Sequence, residues 1–451
     1  MGWRSGGSGS IISSVRALVL GGGVAGLAAA LELRRRRPEL ELTLIEARGR
    51  LGGRVWTERD PDDGLPIERG AEFVHGRPKA LLAELRRAGI DVAEDRSDFW
   101  IGSGRRAGPG GAETGRAFGA LGKALAGLLD PKARDRSIAA LADEPPLSEL
   151  PPELRAIARS FAEGYYLAKP ERASARAIAR MEAAQDAIGG DGSSRPAGGY
   201  GRLIEWLGAR IGAERILRGA AARRLDWRSG HVRVLVDGLG GRLPELEADR
   251  AIIALPLSSI AGERSLGGRL GIRPPVREKL EAARSLEMGN VVKLQLRLRG
   301  RLGGGSFSLA PGQPVPTWWH ASPPGSPWVV GWAGGPAADA LDPLDDDLLR
   351  DVALASLAVA WGEPRRSLAR RLEAFLATRW GRDPLSFGGY AWVPLGADGA
   401  MEALAAPVAE TLFFAGEATE PGHAGTVHGA YASGVRAAGE LIATLPKRRR
   451  R

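Results

Sequence analysis

The chain has 451 residues, 44% apolar and 26% charged, a balance typical of a folded globular protein and a length that points to two domains rather than one core. It contains no cysteine, which excludes disulfides, iron–sulfur clusters and any cysteine-linked prosthetic group. The formal charge is +10, but half of it sits in the terminal run Lys447–Arg451, and the remainder does not argue for nucleic acid.

Residues 1–14 are rich in Gly and Ser and are expected to be a disordered leader. Ile11–Leu33 is apolar, but Arg16, Gly21, Gly23 and Gly26 suit a strand–turn–helix better than a signal peptide or membrane span, so a cytoplasmic location is expected. Val15–Leu20 is a short apolar strand. Gly21, Gly23 and Gly26 then form G-x-G-x-x-G, Ala25–Arg37 continues as a helix, and the strand Leu40–Ile45 ends in Glu46. With 64 glycines in the chain, the motif alone would mean little; framed by strand, helix, strand and acid it predicts a dinucleotide site. The first glycine makes the turn, the second lets backbone approach a pyrophosphate, and the third packs helix on strand. The helix N-terminus presents free N–H groups to phosphate. Glu46 suits the hydroxyls of an adenosine ribose. Arg48, Arg50 and Arg54 follow in a glycine-rich loop, where they suit phosphate charge.

From Pro78 to about Met181 the pattern predicts helices at Ala80–Ala88, Ala117–Leu129, Leu150–Tyr166 and Ala173–Ala184, separated by prolines. Ile188–Gly199 reads as a Gly/Ser loop crossing between domains. Gly201–Ile211 reads as a helix, His231–Val236 and Arg250–Ala254 as strands, and Leu344–Ala360 as an amphipathic helix. Val291–Arg299 alternates, with Val292, Leu294, Leu296 and Leu298 on one face and Lys293, Gln295, Arg297 and Arg299 on the other. Alternation alone makes Lys293 an exposed strand cation. Against that stands a lysine where this chain ordinarily has arginine. Thr411–Gly416 forms a last short strand, and Gly425–Ala430 opens a helix running to Ala443. His75, His231, His320, His423 and His428 show no metal-ligand spacing, so no metal is expected.

Four separated blocks together resemble the flavin-dependent amine oxidases, the family of monoamine oxidases, polyamine oxidases and lysine-specific histone demethylases. The first is Val15–Thr57, with Glu46-Ala47-Arg48 and Gly52-Gly53-Arg54. The second is Gly70-Ala71-Glu72-Phe73-Val74-His75-Gly76. The third is Met288-Gly-Asn-Val-Val-Lys293. The fourth joins Trp380-Gly-Arg-Asp383 and Gly388-Gly389-Tyr390 to Phe413-Phe-Ala-Gly416-Glu417 and Gly425-Thr426-Val427-His428-Gly-Ala430. The resemblance spans nearly the whole chain and is weakest over 78–184.

It implies an α/β fold with a Rossmann-like FAD domain assembled from 15–77, 199–284 and 384–446. An interleaved α+β substrate domain would comprise 78–198 and 285–383, with a basic tail at 447–451. FAD contacts are implied for Gly21, Gly23, Val24, Ala25, Gly26, Glu46, Ala47, Arg48, Gly53, Arg54, Gly70, Ala71, Glu72 and Phe73. The same holds for Ala222, Trp380, Gly416, Glu417, Thr426, Val427 and Ala430. The backbone N–H groups near Val427 would face the flavin edge that becomes negative on reduction. Lys293 matches the family lysine that holds a water against flavin N5. Tyr390 matches one of two cage tyrosines, and Thr426 stands at the other, so the catalytic set is Lys293, Tyr390 and Thr426. His75, Tyr390 and Trp392 are assigned to the substrate cavity, with Trp318 and Trp319 as further wall candidates.

Gly389 occupies the position of the covalent cysteine in monoamine oxidases, so FAD is expected to be non-covalent. The resemblance implies hydride transfer from the carbon beside an amine, an imine product, and hydrogen peroxide from O2. A polyamine-oxidase-like substrate is favoured, and no nucleic-acid partner is expected. Two rivals share the motifs: a flavin desaturase or protoporphyrinogen-oxidase-like enzyme, against which Lys293 and Tyr390 speak, and a non-catalytic flavin-binding partner.

Overall fold

The computed structural model describes residues 15–94, 99–103, 106–190, 192–238, 241–242, 245–262 and 270–446; the leader 1–14 and the tail 447–451 lie outside them. A five-stranded parallel sheet runs in the order Ile216–Arg218, Glu41–Glu46, Arg16–Leu20, Arg250–Ile253, Leu412–Phe414. Its central strand is buried on both faces, which is why it reads as an unbroken apolar run rather than an alternating one. Val19 and Leu44 pack under the helices Val24–Arg36, Gly201–Ile211 and Val427–Ala443. Leu18 and Leu20 face an antiparallel layer built on Ala220–Arg228 and His231–Gly238. The first and last helices touch closely: a Cβ on Gly434 would sit 2.1 Å from the Ala25 carbonyl oxygen.

A second, seven-stranded sheet runs Leu372–Arg379, Val291–Leu298, Trp328–Gly334, Thr317–His320, Phe307–Leu309, Phe99–Ser103, Arg106–Pro109. The helix Asp346–Trp361 covers one face, where Leu349, Ala353 and Leu357 meet Val292, Leu294, Leu296 and Leu298. The opposite face of Val291–Leu298 is also buried at its start. Lys293 and Gln295 are each only 1% exposed, so Lys293 is not the surface cation that alternation alone suggests.

The stretch from Pro78 to Met181 is less helical than expected. Helices form at Lys79–Arg87, Gly111–Ala126, Ile138–Ala142, Pro152–Tyr165 and Ala175–Asp186, but Val92–Glu94, Phe99–Ser103 and Arg106–Pro109 are strands. The last two complete the seven-stranded sheet, Phe99–Ser103 pairing in parallel with Phe307–Leu309. Short strands whose partner lies so far along the chain leave no periodic signal of their own. The loop expected at 188–199 likewise contains Ser193–Pro196, which pairs with Val74–His75 and Val92–Glu94.

Candidate active site

The glycine turn between the first strand and helix separates fold demands from ligand demands. Gly21 has φ +106°, and a Cβ there would lie 2.5 Å from the Ala254 carbonyl oxygen; one on Gly26 would lie 1.9 Å from that of Gly21. Both glycines are required by the chain itself. Gly23 differs. Its φ of −73° and ψ of 179° are open to any residue, and the nearest atom to a Cβ there is 4.0 Å away. Nothing in the chain forbids a side chain at Gly23, and the space it would fill lies over the first-turn N–H groups of Val24, Ala25 and Gly26, which have no acceptor within the helix. A phosphate-bearing ligand fits that cradle.

Glu46 ends the second strand, buried, with Oε2 accepting from Gly22 N at 2.7 Å and Oε1 from Arg48 N at 2.7 Å. Burial pushes its carboxyl above the ordinary range, against those two N–H donors. Ala47 follows, half-buried. The Arg48 guanidinium is bidentate to Asp383 at 2.6 and 2.9 Å and also reaches Ser386, so its charge is already matched within the chain. Arg50 stacks over Trp56 at 4.7 Å; burial, then repulsion from Arg48, lowers it to about 10. Gly53 lies against Gly23, with 3.3 Å from its notional Cβ to the Gly23 Cα. Ala222 pairs with Val236 in the antiparallel layer, four residues past Arg218, the register partner of Glu46.

At the far edge of the parallel sheet, Arg54 donates to the Gly389 carbonyl at 2.6 Å and to Glu417 Oε1 at 2.9 Å. Buried Glu417 also accepts from the N–H groups of Ala391 and Gly425, each at 3.2 Å. Arg54, Leu255, Gly416 and Glu417 line a cavity. Thr426 caps the last helix: its hydroxyl accepts from Gly429 N at 2.9 Å and donates to the His423 carbonyl at 2.7 Å. That hydroxyl is committed to the cap, which sets the N–H groups after Val427 and leaves half-buried Ala430 in the first turn. A side chain at Gly389 would crowd its neighbours, because a Cβ there would lie 2.6 Å from Val291 Cγ2 and 2.8 Å from Leu167 Cδ1.

Lys293 Nζ donates to the Gly70 carbonyl and to Glu72 Oε2, both at 2.9 Å. Glu72 also accepts from Trp319 Nε1 at 3.0 Å and faces Arg195 Nε at 3.3 Å. Burial pushes the Glu72 carboxyl up, but Lys293 and Arg195 outweigh it and hold it below the ordinary range. Aromatic rings surround the pair. Phe73 meets Trp319 edge-on at 5.3 Å, and Arg195 lies over Phe73 at 4.6 Å. Trp332 is the cross-strand partner of Lys293, and Trp56, Trp332 and Tyr390 pack around Leu167, Val291 and Trp380. Ala71 is half-buried and packs against the core on the helix-covered side of the parallel sheet. Tyr390 donates to the Tyr165 carbonyl at 2.5 Å, and Tyr165 meets the His75 ring edge-on at 5.7 Å. Burial lowers His75 to about 4, so the imidazole is neutral near neutral pH.

Trp318 faces away from this space. Trp392 packs with Ile178 and Met181 in the helical core, and Trp318 under Asp346–Trp361. Trp318 was expected at the cavity with its strand neighbour Trp319; successive side chains of a strand point to opposite faces, and Trp319 takes the site face. Sequence reasoning missed Trp56, Arg195, Trp332 and the Arg48–Asp383 clamp. Only cross-strand register, absent from local spacing, would have found them.

A parallel sheet with a glycine turn aimed at phosphate, joined to a second sheet that buries a lysine among aromatic rings, defines a two-sheet α/β nucleotide-cofactor protein. The family model described as flavin containing amine oxidoreductase matches residues 24–442, and the chain belongs to this family. Membership implies a flavin cofactor and an amine substrate. The chain is 28% identical to Lysine-specific histone demethylase 1 homolog 2 of Arabidopsis thaliana, over 94% of this chain and 58% of that one. It is 27% identical to Probable polyamine oxidase 4 of the same plant, over 93% and 85% respectively. The chain spans little more than half the length of the demethylase relatives it matches. The fold matches putrescine oxidase bound to putrescine with a TM-score of 0.79 at 22% identity, covering 95% of this chain and 99% of that one. Among the described residues, no helix is long and apolar enough to cross a membrane.

Proposed function

We propose that the protein binds FAD non-covalently and oxidises an amine, with a polyamine-like substrate favoured. FAD, when bound, would supply the two-electron oxidation of the carbon beside a neutral amine, leaving an imine for water to hydrolyse, with dioxygen as the expected electron acceptor and hydrogen peroxide its product. The observation that carries this reading is Lys293, fully buried over the Trp319 ring, with Phe73 against that ring and Trp332 as its cross-strand partner.

The first-turn N–H groups after Gly23 would hold the pyrophosphate, Glu46 the ribose, and Arg54, Gly416 and Glu417 the chain toward the flavin. The N-terminus of Val427–Ala443 would turn its positive dipole end toward the flavin edge that becomes negative on reduction. Crowding at Gly389 supports non-covalent binding. Lys293 would hold a water against flavin N5, Tyr390 is fixed by its hydrogen bond to the Tyr165 carbonyl, and neutral His75 adds no repulsion toward a cationic substrate. The segments 15–77, 199–284 and 384–446 form the FAD domain in this reading, and 78–198 with 285–383 the substrate domain. Its support is that the first set supplies the parallel sheet and the second the seven-stranded one. The names of the polyamine and putrescine oxidase relatives support the substrate class.

An anaerobic absorbance scan of the purified protein against polyamines, monoamines and amino acids tests this. Bleaching of the flavin bands by a polyamine is expected. A yellow protein that no amine bleaches would shift the assignment to desaturase-type chemistry, and a colourless one to a non-catalytic role.

A further inference from the structure

Oxidation of an alkylamine requires the free base, whereas polyamines arrive as ammonium ions, so a proton must leave the site before hydride does. We propose that Glu72, ordered water and Glu68 form a proton path behind Lys293, carrying that proton to solvent beside Ser322. The inference rests on the amine-oxidation reading and assigns new residues to it.

A cavity adjoins Glu72, the ion-pair partner of Lys293, and is lined by Glu68, Glu72, Arg195, Gln295, Ser322 and Trp328 among others. It runs from fully buried Glu72 and Gln295 to half-buried Ser322. Gln295, two residues beyond Lys293 on the same strand face, donates through Nε2 to the Glu68 carbonyl at 3.0 Å. Its buried Oε1 has no hydrogen-bond partner among the described residues. A buried acceptor of this kind, beside a small cavity that two carboxylates and a guanidinium also reach, calls for water.

The two carboxyls differ in the way a path needs. Lys293 and Arg195 keep Glu72 ionised and able to accept. Glu68 accepts from Tyr200 N at 2.6 Å and from the Thr57 hydroxyl at 2.7 Å, yet burial raises it to about 7. The titratable groups facing Glu68 are Lys293 from the seven-stranded sheet, Glu72 from its own segment and the Tyr200 phenol, with Arg195 across the cavity. In the step itself, an N–H bond of the substrate ammonium breaks. Lys293 passes one proton to Glu72 Oε2, 2.9 Å away, and regains one from the amine side. The proton then moves through water to Glu68, forming an O–H bond, and on to solvent. No electrons move.

The test combines two readouts of the flavin-loaded protein. The first needs no turnover: a high-resolution crystal structure and infrared difference spectra of wild type against Glu68→Gln. Expected are waters bonded to Gln295 Oε1, and a carboxyl band that titrates near 7 and is missing from the variant. The second is rapid-mixing flavin reduction by saturating amine across pH. Wild type should speed up as Glu68 ionises, and Glu68→Gln should lose that rise, ending at least roughly tenfold slower in mildly alkaline solution. Should Glu68→Gln fail to fold, Gln295→Met, which keeps the side-chain length but removes the buried Oε1 acceptor, must remove the water and the rise together. A dry cavity, or no titrating band, overturns the path whatever the kinetics. A titrating band with an unaltered pH profile in the variants overturns it as well. If no amine reduces wild type, the amine reading itself fails, an outcome distinct because the other failures leave wild-type reduction intact.

Discussion

Glu46 and Glu72 are both buried carboxylates in a cofactor-family site, yet they are held in opposite ways. Glu46 takes two backbone N–H bonds from Gly22 and Arg48, close in sequence, and burial leaves its carboxyl raised. Glu72 is held by side chains from distant segments, Lys293, Arg195 and Trp319, and lies low. The glycine-turn region is therefore a backbone device, indifferent to most side-chain changes around it. The Lys293 region is an ionic device, in which each member's burial depends on the others.

The largest expected effect breaks the ionic side. Lys293→Met removes the nearer cation from Glu72, and a loss of about 3–5 kcal/mol is expected in urea unfolding. Flavin reduction or reoxidation should slow more than roughly tenfold, about 1.4 kcal/mol of barrier, with FAD retained. Adding Glu72→Gln should restore most of the stability and none of the rate. A single variant as stable as wild type would mean that Glu72 is not a buried charge, and the contrast with Glu46 would collapse.

Glu84 sharpens the comparison, because it is an ionic device on the glycine-turn side of the molecule. It is fully buried and receives Arg35 at 2.7 and 2.8 Å, Trp206 at 2.8 Å and Arg87 at 3.0 Å. Burial pushes its carboxyl up, but these donors, Arg35 foremost, bring it down to about 2. A folded pKa below the unfolded one stabilises above the unfolded value of 4.5 and is lost as pH falls toward 2. About 3 kcal/mol should disappear over that window, and Glu84→Gln should flatten the acid limb of the stability curve. An unchanged limb would assign acid lability to other groups.

The smallest effect concerns Gly23. Gly23→Ala should leave the apo-protein's melting temperature unchanged while weakening FAD binding by at least roughly tenfold, about 1.4 kcal/mol. Gly26→Ala, crowded by the Gly21 carbonyl, should lower the melting temperature itself. Equal behaviour of the two variants, by calorimetry and flavin titration, would erase the division between fold glycines and ligand glycines.

Much of the glycine-turn side was legible in the sequence. Strand, G-x-G-x-x-G, helix, strand and Glu46 lie within Val15–Glu46, and periodicity and turn chemistry act over that range. The blocks around Lys293, Tyr390 and Thr426 were legible as a family resemblance, but their physical roles were not. Thr426 proved to be a helix cap, and Trp392 a core residue. The amino-acid order alone determined the first crossover and the family, and singled out Lys293 as the candidate lysine, because those signals are local or lie in short motifs. Tertiary structure alone decided that Lys293 is buried against Glu72, that Arg195 and Trp332 join it, and that Phe99–Ser103 and Arg106–Pro109 complete its sheet. The reason is physical: these contacts are cross-strand and cross-segment pairings over hundreds of residues, and only the folded register states which side chains meet.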